Sequence, residues 1–185
     1  GVDEMLAATA APALGSVLTG PILNPANNHS YYLLTQQTWT ASETEAIGLG
    51  GHLATINDAA ENDWVYDTFT PAASGQKNLW IGLNDAAIDG TYLWSSGESS
   101  AYTNWSPLEP SNGAGGAEDY VHISGVSFNN LIARRWNDDT NVGTGAGNDL
   151  SVPHGVVEVV PEPGSAFAAA AVSFPALRRR SRRIL

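Results

Sequence analysis

The segment EPSNGAGGAEDY, residues 109–120, gathers acidic side chains around a chain of small residues. Glu109 precedes a proline, and Glu118 lies next to Asp119 at the other end of the segment. The glycine-rich run between them predicts neither a stable helix nor a strand. Carboxylates held close together repel one another unless a cation lies between them. The segment therefore indicates a cation-binding loop.

The composition limits the other kinds of chemistry. The 185 residues favour one domain with tails, and the absence of cysteine excludes disulfides, thiolate metal sites and cysteine catalysis. Five of the eight basic residues are arginines in the last eight positions. Residues 1–161 therefore carry three basic and 18 acidic residues, a net charge of −15. Such a body repels nucleic acid, so metal cations and neutral ligands are the expected partners.

The sequence contains no pattern typical of an enzyme active site. It lacks a Gly-x-Ser-x-Gly elbow, a His-Glu-x-x-His pair and a phosphate-binding glycine loop. Glycoside hydrolysis by paired acids requires one carboxylic acid kept protonated in an apolar setting, whereas these acids lie in polar, glycine-rich loops. We therefore expect a binding protein and not an enzyme.

The elements that must position the loop follow from capping signals and short apolar runs. Thr40-x-x-Glu43 and Asp58-x-x-Glu61 are capping boxes that predict two helices, the first ending at Gly50. Five later runs have the composition of strands: 79–83, 91–94, 120–123, 133–136 and 155–159. Helices followed by strands and polar loops predict an α+β fold with antiparallel pairing.

The order of these motifs resembles that of a C-type lectin-like domain over residues 28–160. The motifs are the segment from YYLL to ENDWV, LWIGLND, EPS followed by ED, RRWND and GVVEV. The resemblance implies two helices flanking small antiparallel sheets, with a long calcium-binding loop region. This chain departs from the family in lacking its usual disulfide cysteines. Its stability is therefore expected to rest on packing and on calcium.

The resemblance also implies a Ca2+ site that binds sugar. Carried over residue by residue, its ligands are Glu109, Ser111 or Asn112, Glu118, Asn137 and Asp138. Two vicinal sugar hydroxyls complete the cation's shell, and the same acids and amides hydrogen-bond them. Pro110 is the expected cis proline of the motif. The sequence has Glu-Pro-Ser where mannose-type members have Glu-Pro-Asn, which leaves the choice between Ser111 and Asn112 open.

A second, structural calcium site is implied by acids that follow the LWIGL strand. Its expected ligands are Asp85, Asp89, Asn112, Glu118 and Asp119. Taken singly, Asp89, Asn137 and Asp138 are more often turn residues than metal ligands. Their joint occurrence in family order favours the calcium interpretation.

The two ends of the chain carry separate predictions. Residues 1–27 are weakly apolar and are expected to be an N-terminal linker or an export remnant. Residues 161–185 run from Pro-Glu-Pro through an apolar segment to an arginine cluster, an order similar to the PEP-CTERM sorting signal. That similarity implies export, transient anchoring in the inner membrane and removal of the tail by an exosortase. The alternative is a disordered basic tail.

These features together predict an exported bacterial lectin of the cell envelope, cell surface or extracellular matrix. It would recognise a glycan or exopolysaccharide through calcium. The alternative is a calcium-stabilised scaffold of the same fold that binds a protein or matrix polymer without binding sugar.

Overall fold

The protein has an α+β fold in which two helices pack on one sheet, and the computed structural model describes residues 16–73, 77–143 and 152–162. In chain order the elements are β1 (Val17–Leu23), β2 (Ser30–Gln36), α1 (Trp39–Gly48), β3 (His52–Leu53), α2 (Ala59–Ala72), β4 (Leu79–Asn84), β5 (Leu93–Trp94), α3 (Gly113–Gly116), β6 (Tyr120–Ile123), β7 (Trp136–Asp139) and β8 (His154–Val159). No helix in this described part of the chain is long and apolar enough to cross a membrane.

The described strands form a single sheet in the order β1-β2-β8-β4-β6-β7, with β3 added on β8 and β5 added on β4. Every pair is antiparallel except β4 with β8, where Leu79 lies opposite His154 and Trp80 opposite Gly155. The expectation of antiparallel pairing is therefore wrong for this pair. Nearly all residues of both strands are buried, and burial on both faces is typical of parallel pairing.

The N-terminal region contains a strand where a linker over residues 1–27 was expected. Strand β1 pairs antiparallel with β2, and Ile22 lies opposite Tyr31. Ile22 packs against the main core and Val17 against a smaller apolar cluster, so burial of these side chains stabilises the strand. The domain boundaries of residues 28 and 160 stay a prediction.

The two helix starts differ in how well the sequence predicts them. Asp58 caps α2 by accepting from the backbone N–H of Glu61 (2.8 Å), as the second capping box predicts. The cap of α1 is Thr38, whose hydroxyl accepts from Ala41, so the prediction of Thr40 is wrong. The Glu43 carboxylate accepts from the Leu53 backbone N–H (2.9 Å), so it is engaged there instead of in the predicted capping box.

Trp136 is the centre of the core beneath the acidic loop. Its ring is fully buried and makes edge contacts with Trp94, Tyr102 and Trp105 at centroid distances of 5.6 to 5.8 Å. Its indole N–H donates to Asn62 Oδ1 on α2 (2.8 Å). These contacts fix the start of β7, the strand that carries the Asn-Asp pair.

Strand β7 begins three residues later than the predicted run 133–136. Arg134 has a left-handed backbone (φ 74°), which ends strand geometry at that position. Its carbonyl accepts from the side chains of Asn62 (3.0 Å) and Asn104 (2.9 Å) instead of from a neighbouring strand.

A buried polar network joins α2 to strands β2 and β8 of the sheet. The Tyr31 hydroxyl contacts Glu61 and lies 2.8 Å from Glu158 Oε1. His29 Nδ1 lies 2.5 Å from the same Glu158 oxygen, and Glu158 Oε2 accepts from the Thr55 backbone N–H (3.0 Å). Burial raises the pKa of Glu61.

Candidate functional site

The predicted acidic ligands of three separate segments lie close together around one end of strands β4, β6 and β7. Asp85 follows β4 directly, Asp119 precedes β6, and Asp138 lies on β7 opposite Val121. The backbone N–H of Asp85 donates to the Asp119 carbonyl (3.0 Å), which fixes the first two segments side by side. Antiparallel pairing of β4, β6 and β7 is therefore what brings these acids together.

The loop that begins at Glu109 is attached to the sheet through Asp138. The backbone N–H groups of Ser111 and Asn112 donate to the two Asp138 carboxylate oxygens, at 3.0 and 2.9 Å. The peptide bond between Glu109 and Pro110 is cis, as the motif implies. Asp138 is fully buried, so these bonds form in the protein interior.

The glycine-rich run forms a single helical turn, α3, where no helix was expected. Asn112 precedes the turn in a left-handed conformation (φ 47°). The Glu118 carboxylate accepts a hydrogen bond from the Gly113 backbone, which holds the turn closed. A Cβ atom on Gly113 would lie 2.6 Å from Glu118 Oε2, so any other residue at this position would displace the Glu118 carboxylate.

The acids of the site raise one another's pKa values. Burial is the largest cause of the raised pKa of Glu109, Glu118 and Asp85. Neighbouring carboxylates add to it: Asp138 raises the pKa of all three groups, and Glu118 also raises that of Glu109. A cation bound among these groups would favour their ionised forms.

Three oxygens of this site are buried and accept no hydrogen bond. They belong to three predicted ligands: Asp85 Oδ1, Glu109 Oε2 and Asn112 Oδ1. Buried polar atoms are nearly always partnered, because an unpaired acceptor loses its hydration without compensation. Two carboxylate oxygens and one amide oxygen are ligands that Ca2+ prefers. These oxygens are therefore of the kind that calcium binds, with Glu109 among the ligands predicted for the first site, Asp85 for the second and Asn112 for either.

The side chains of Ser111 and Asn112 contact different acids. The Ser111 hydroxyl lies 3.4 Å from Glu118 Oε2 and also hydrogen-bonds Glu109. The Asn112 amide instead donates to Asp89 Oδ1. Ser111 thus belongs with the acids of the first predicted site, and Asn112 with those of the second.

The acids lie near one another, but their oxygens do not form a complete coordination shell for a metal ion. Within the residues that the structure describes, no group of three or more His, Cys, Asp or Glu side chains is arranged to hold a metal ion. Both Asp138 oxygens accept hydrogen bonds from the loop, and the Asn137 amide donates to the Asp138 carbonyl (2.6 Å). Calcium coordination therefore requires the carboxylates to move together.

Tyr92 is a member of the site that the sequence did not indicate. Its hydroxyl donates to Asp138 Oδ2 (3.0 Å), although it lies 46 positions earlier in the chain. The sequence placed Tyr92 in the strand run 91–94. Nothing in that local pattern shows which distant side chain the hydroxyl meets.

Comparison with known families identifies most of the described chain. The model of the family described as the Lectin C-type domain matches residues 35–141. C-type mannose receptor 2 of Homo sapiens is 32% identical over 119 residues, which are 64% of this chain and 7% of that receptor. Ladderlectin of Oncorhynchus mykiss is 32% identical over 127 residues, or 69% of this chain and 60% of its own. The chain thus spans less than two thirds of either relative.

Solved structures share the same fold. The C-type lectin CEL-I from Cucumaria echinata superposes with a TM-score of 0.59 at 24% identity, over 71% of this chain and 90% of its own. A calcium-independent type II antifreeze protein superposes with a TM-score of 0.58 at 17% identity, over 77% of this chain and 95% of its own. At these identities the likeness shows the fold alone.

Proposed function

The chain belongs to the C-type lectin domain family, and from this premise we propose that it binds glycan hydroxyl groups through calcium held in the loop. The family is generally one of carbohydrate-binding domains without enzymatic activity. We propose the same for this chain, as a binding protein and not an enzyme.

The observation that carries the proposal is the set of three unpartnered buried oxygens. Asp85 Oδ1, Glu109 Oε2 and Asn112 Oδ1 come from two segments and lie in the loop region that the family uses for calcium. A neutral ligand could donate to such acceptors, but it would not offset the burial and the carboxylate repulsion that together raise the pKa of Glu109 and Asp85. A divalent cation satisfies both requirements.

The proposed ligands divide into two groups along the loop. Sugar-binding calcium would be held by Glu109, Ser111, Glu118, Asn137 and Asp138. Structural calcium would be held by the group that follows β4 and flanks β6: Asp85, Asp89, Asn112 and Asp119, with Glu118 shared between the two sites. The contacts of Ser111 with Glu118 and of Asn112 with Asp89 support this division.

The first group also supplies the hydrogen bonds to the sugar. Calcium, when bound, accepts two neighbouring hydroxyl oxygens in its open coordination positions. Glu109 and Glu118 are acceptors for the hydroxyl hydrogens, whereas the Asn137 amide is a donor for a hydroxyl oxygen. A sugar with two vicinal hydroxyls is therefore the proposed ligand class. The Glu-first motif favours mannose, glucose or fucose.

A glycan array, with calcium and again with chelator, tests the proposal. We expect wild-type binding in calcium and its loss in chelator. Glu109→Gln keeps an oxygen but removes a charge and adds an amide donor. The variant should therefore lose binding to the sugars that the wild type binds, or bind other sugars instead. The exposed Glu98, which lies 3.5 Å from Asn57 and outside this loop, provides the control Glu98→Gln. Wild-type glycan binding that persists in chelator, or an array profile of Glu109→Gln in calcium that equals that of the wild type, would contradict the proposal.

A second candidate is a lectin-like scaffold that binds a protein or matrix polymer without sugar. The specific observation in its favour is the shared fold with a protein described as a calcium-independent antifreeze protein. Under this alternative, calcium only orders the loop. Calcium would then raise the melting temperature, but no glycan on the array would bind in either condition.

We further propose that the chain is exported and that residues 161–185 are a removable PEP-CTERM-like tail. Residues 163–185 lie outside the described residues, so the proposal rests on the Pro-Glu-Pro, apolar and arginine order of the sequence. Its partner would be an exosortase, with transient membrane anchoring before cleavage. The mature protein should end near residues 161–165, which intact-mass measurement of native protein checks. A mature chain that retains Arg183 would contradict this proposal.

A further inference from the structure

Tyr92 contacts the proposed calcium site through its hydroxyl and the core through its ring. The ring lies 5.1 Å from that of Trp105 at an interplanar angle of 64°. The hydroxyl lies 3.0 Å from Asp138 Oδ2, to which it donates. Burial, and then the charge of Asp138, raises the pKa of Tyr92 above its ordinary range, so the hydroxyl keeps its proton and remains a donor.

The hydrogen bonds of Asp138 are distributed unequally between its two oxygens. Oδ2 accepts from both the Tyr92 hydroxyl and the Asn112 backbone N–H, whereas Oδ1 accepts from the Ser111 backbone N–H. The Asp138 carboxyl group also hydrogen-bonds the Glu109 side chain. Each carboxylate oxygen has about two acceptor positions, so the two donors on Oδ2 saturate it.

We propose that Tyr92 is a positioning residue that fixes the orientation of the Asp138 carboxylate, which would be a calcium ligand. This inference rests on the proposed function and assigns a new role within it. Groups that hydrogen-bond a metal ligand fix its orientation, and their loss typically weakens metal binding by about 10- to 100-fold. Tyr92 occupies that place because it fills the one acceptor position on Oδ2 that the loop backbone leaves open.

The test is Tyr92→Phe, which removes only the hydroxyl and keeps the ring against Trp105. Tyr66→Phe is the matched control, because the Tyr66 hydroxyl donates a bond of similar length (2.9 Å) to the Gly125 carbonyl, outside the proposed site. Calcium affinity is measured by titration calorimetry. We expect Tyr92→Phe to raise the calcium Kd about tenfold or more. Tyr66→Phe should leave it within about twofold of wild type.

A second readout requires no bound metal. In chelator, amide hydrogen exchange of Asn112 reports on its bond to Asp138 Oδ2. Without the Tyr92 hydroxyl, only the loop holds Oδ2, so its bond to Asn112 should open more often. Asn112 exchange should then become faster in Tyr92→Phe and stay unchanged in Tyr66→Phe. A destabilisation of the whole fold would instead speed exchange in strands far from the loop.

The possible results separate this inference from the proposed function. If the wild type binds no calcium, both are wrong. If the wild type binds calcium and Tyr92→Phe binds it equally well or more tightly, only the role of Tyr92 is wrong. Unchanged Asn112 exchange in chelator would overturn that role as well.

Discussion

Asp85 is the residue whose substitution should separate electrostatic repulsion from calcium binding most clearly. Its side chain is 2% exposed, and Oδ2 accepts from the Gly90 backbone N–H (2.8 Å). Oδ1 has no hydrogen-bond partner. Asp119, Asp89 and Asp138 all lie close enough to raise its pKa, after the larger effect of burial.

Asp85→Asn should stabilise the calcium-free protein. The amide oxygen can still accept from Gly90, while the new NH2 group can donate to a neighbouring carboxylate in place of the unpaired Oδ1. An unsatisfied buried acceptor costs about 1–3 kcal/mol, so the free energy of unfolding in chelator should rise by about that amount.

The same substitution should remove most of the stabilisation that calcium provides. At a free calcium concentration of 100 times Kd, binding to the folded state alone adds about 2.7 kcal/mol. If the loss of this charged ligand weakens calcium binding about 100-fold, the same concentration equals the new Kd and adds only about 0.4 kcal/mol. The calcium increment should therefore fall by about 2 kcal/mol.

Urea unfolding of both proteins, in chelator and in calcium, measures the two effects. Asp63→Asn is the control, because Asp63 is 60% exposed on α2 and lies 3.3 Å from Arg134. Exposed ion pairs contribute about 0–1 kcal/mol, and this contribution should be the same in both conditions. The reasoning is refuted if Asp85→Asn destabilises the protein in chelator or leaves the calcium increment unchanged.

Two other predictions concern the titrating groups. Because the pKa values of Glu109, Glu118 and Asp85 are raised in the folded state, the folded protein binds protons that the unfolded chain releases. In chelator, these three groups should therefore contribute most stability below the ordinary carboxyl pKa of about 4, and this contribution should fall as pH rises through their folded pKa values. Burial lowers the pKa of His122, which acts in the opposite direction, so urea midpoints between pH 4 and 8 are compared with those of Asp85→Asn. A stability that falls no more steeply with pH in the wild type than in Asp85→Asn would contradict the prediction. Tyr31→Phe removes the hydroxyl between Glu61 and the sheet, so it should destabilise the fold by about 1–3 kcal/mol. Calorimetry should show an unchanged calcium Kd. A higher Kd would mean that the polar network around Tyr31 is coupled to the calcium site.

Much of the fold is predictable because its signals are local. The Asp58 cap of α2 and most of the strand runs lie where the sequence places them, since capping and strand patterning involve residues close in the chain. The cap of α1 is less certain locally, because Thr38 and Thr40 are both suitable. Contacts with distant residues favour Thr38: Glu43 accepts from Leu53, ten positions away, and the Thr40 backbone N–H donates to Asn141.

The parts that sequence reasoning missed depend on distant partners. Strand β1 is interrupted in sequence by Gly20 and Pro21, and pairing with β2 stabilises it. The parallel pairing of β4 with β8 joins segments about 75 positions apart, which no local pattern specifies. The acids of the loop could be listed from motif order, but their hydrogen bonds to the backbone and to Tyr92 required the structure.

Asp138 has two roles, and this determines which variants are informative. It is a proposed calcium ligand, and its carboxylate also holds the loop through the backbone N–H groups of Ser111 and Asn112. Any substitution of Asp138 removes both functions, so lost calcium binding in such a variant would not show which one failed. Asp85→Asn leaves both backbone anchors in place, whereas Tyr92→Phe removes neither donor and should loosen only the bond to Asn112. If both variants weaken calcium binding while the Ser111 amide stays protected in chelator, the loop carboxylates act on the cation directly and not through the order of the loop.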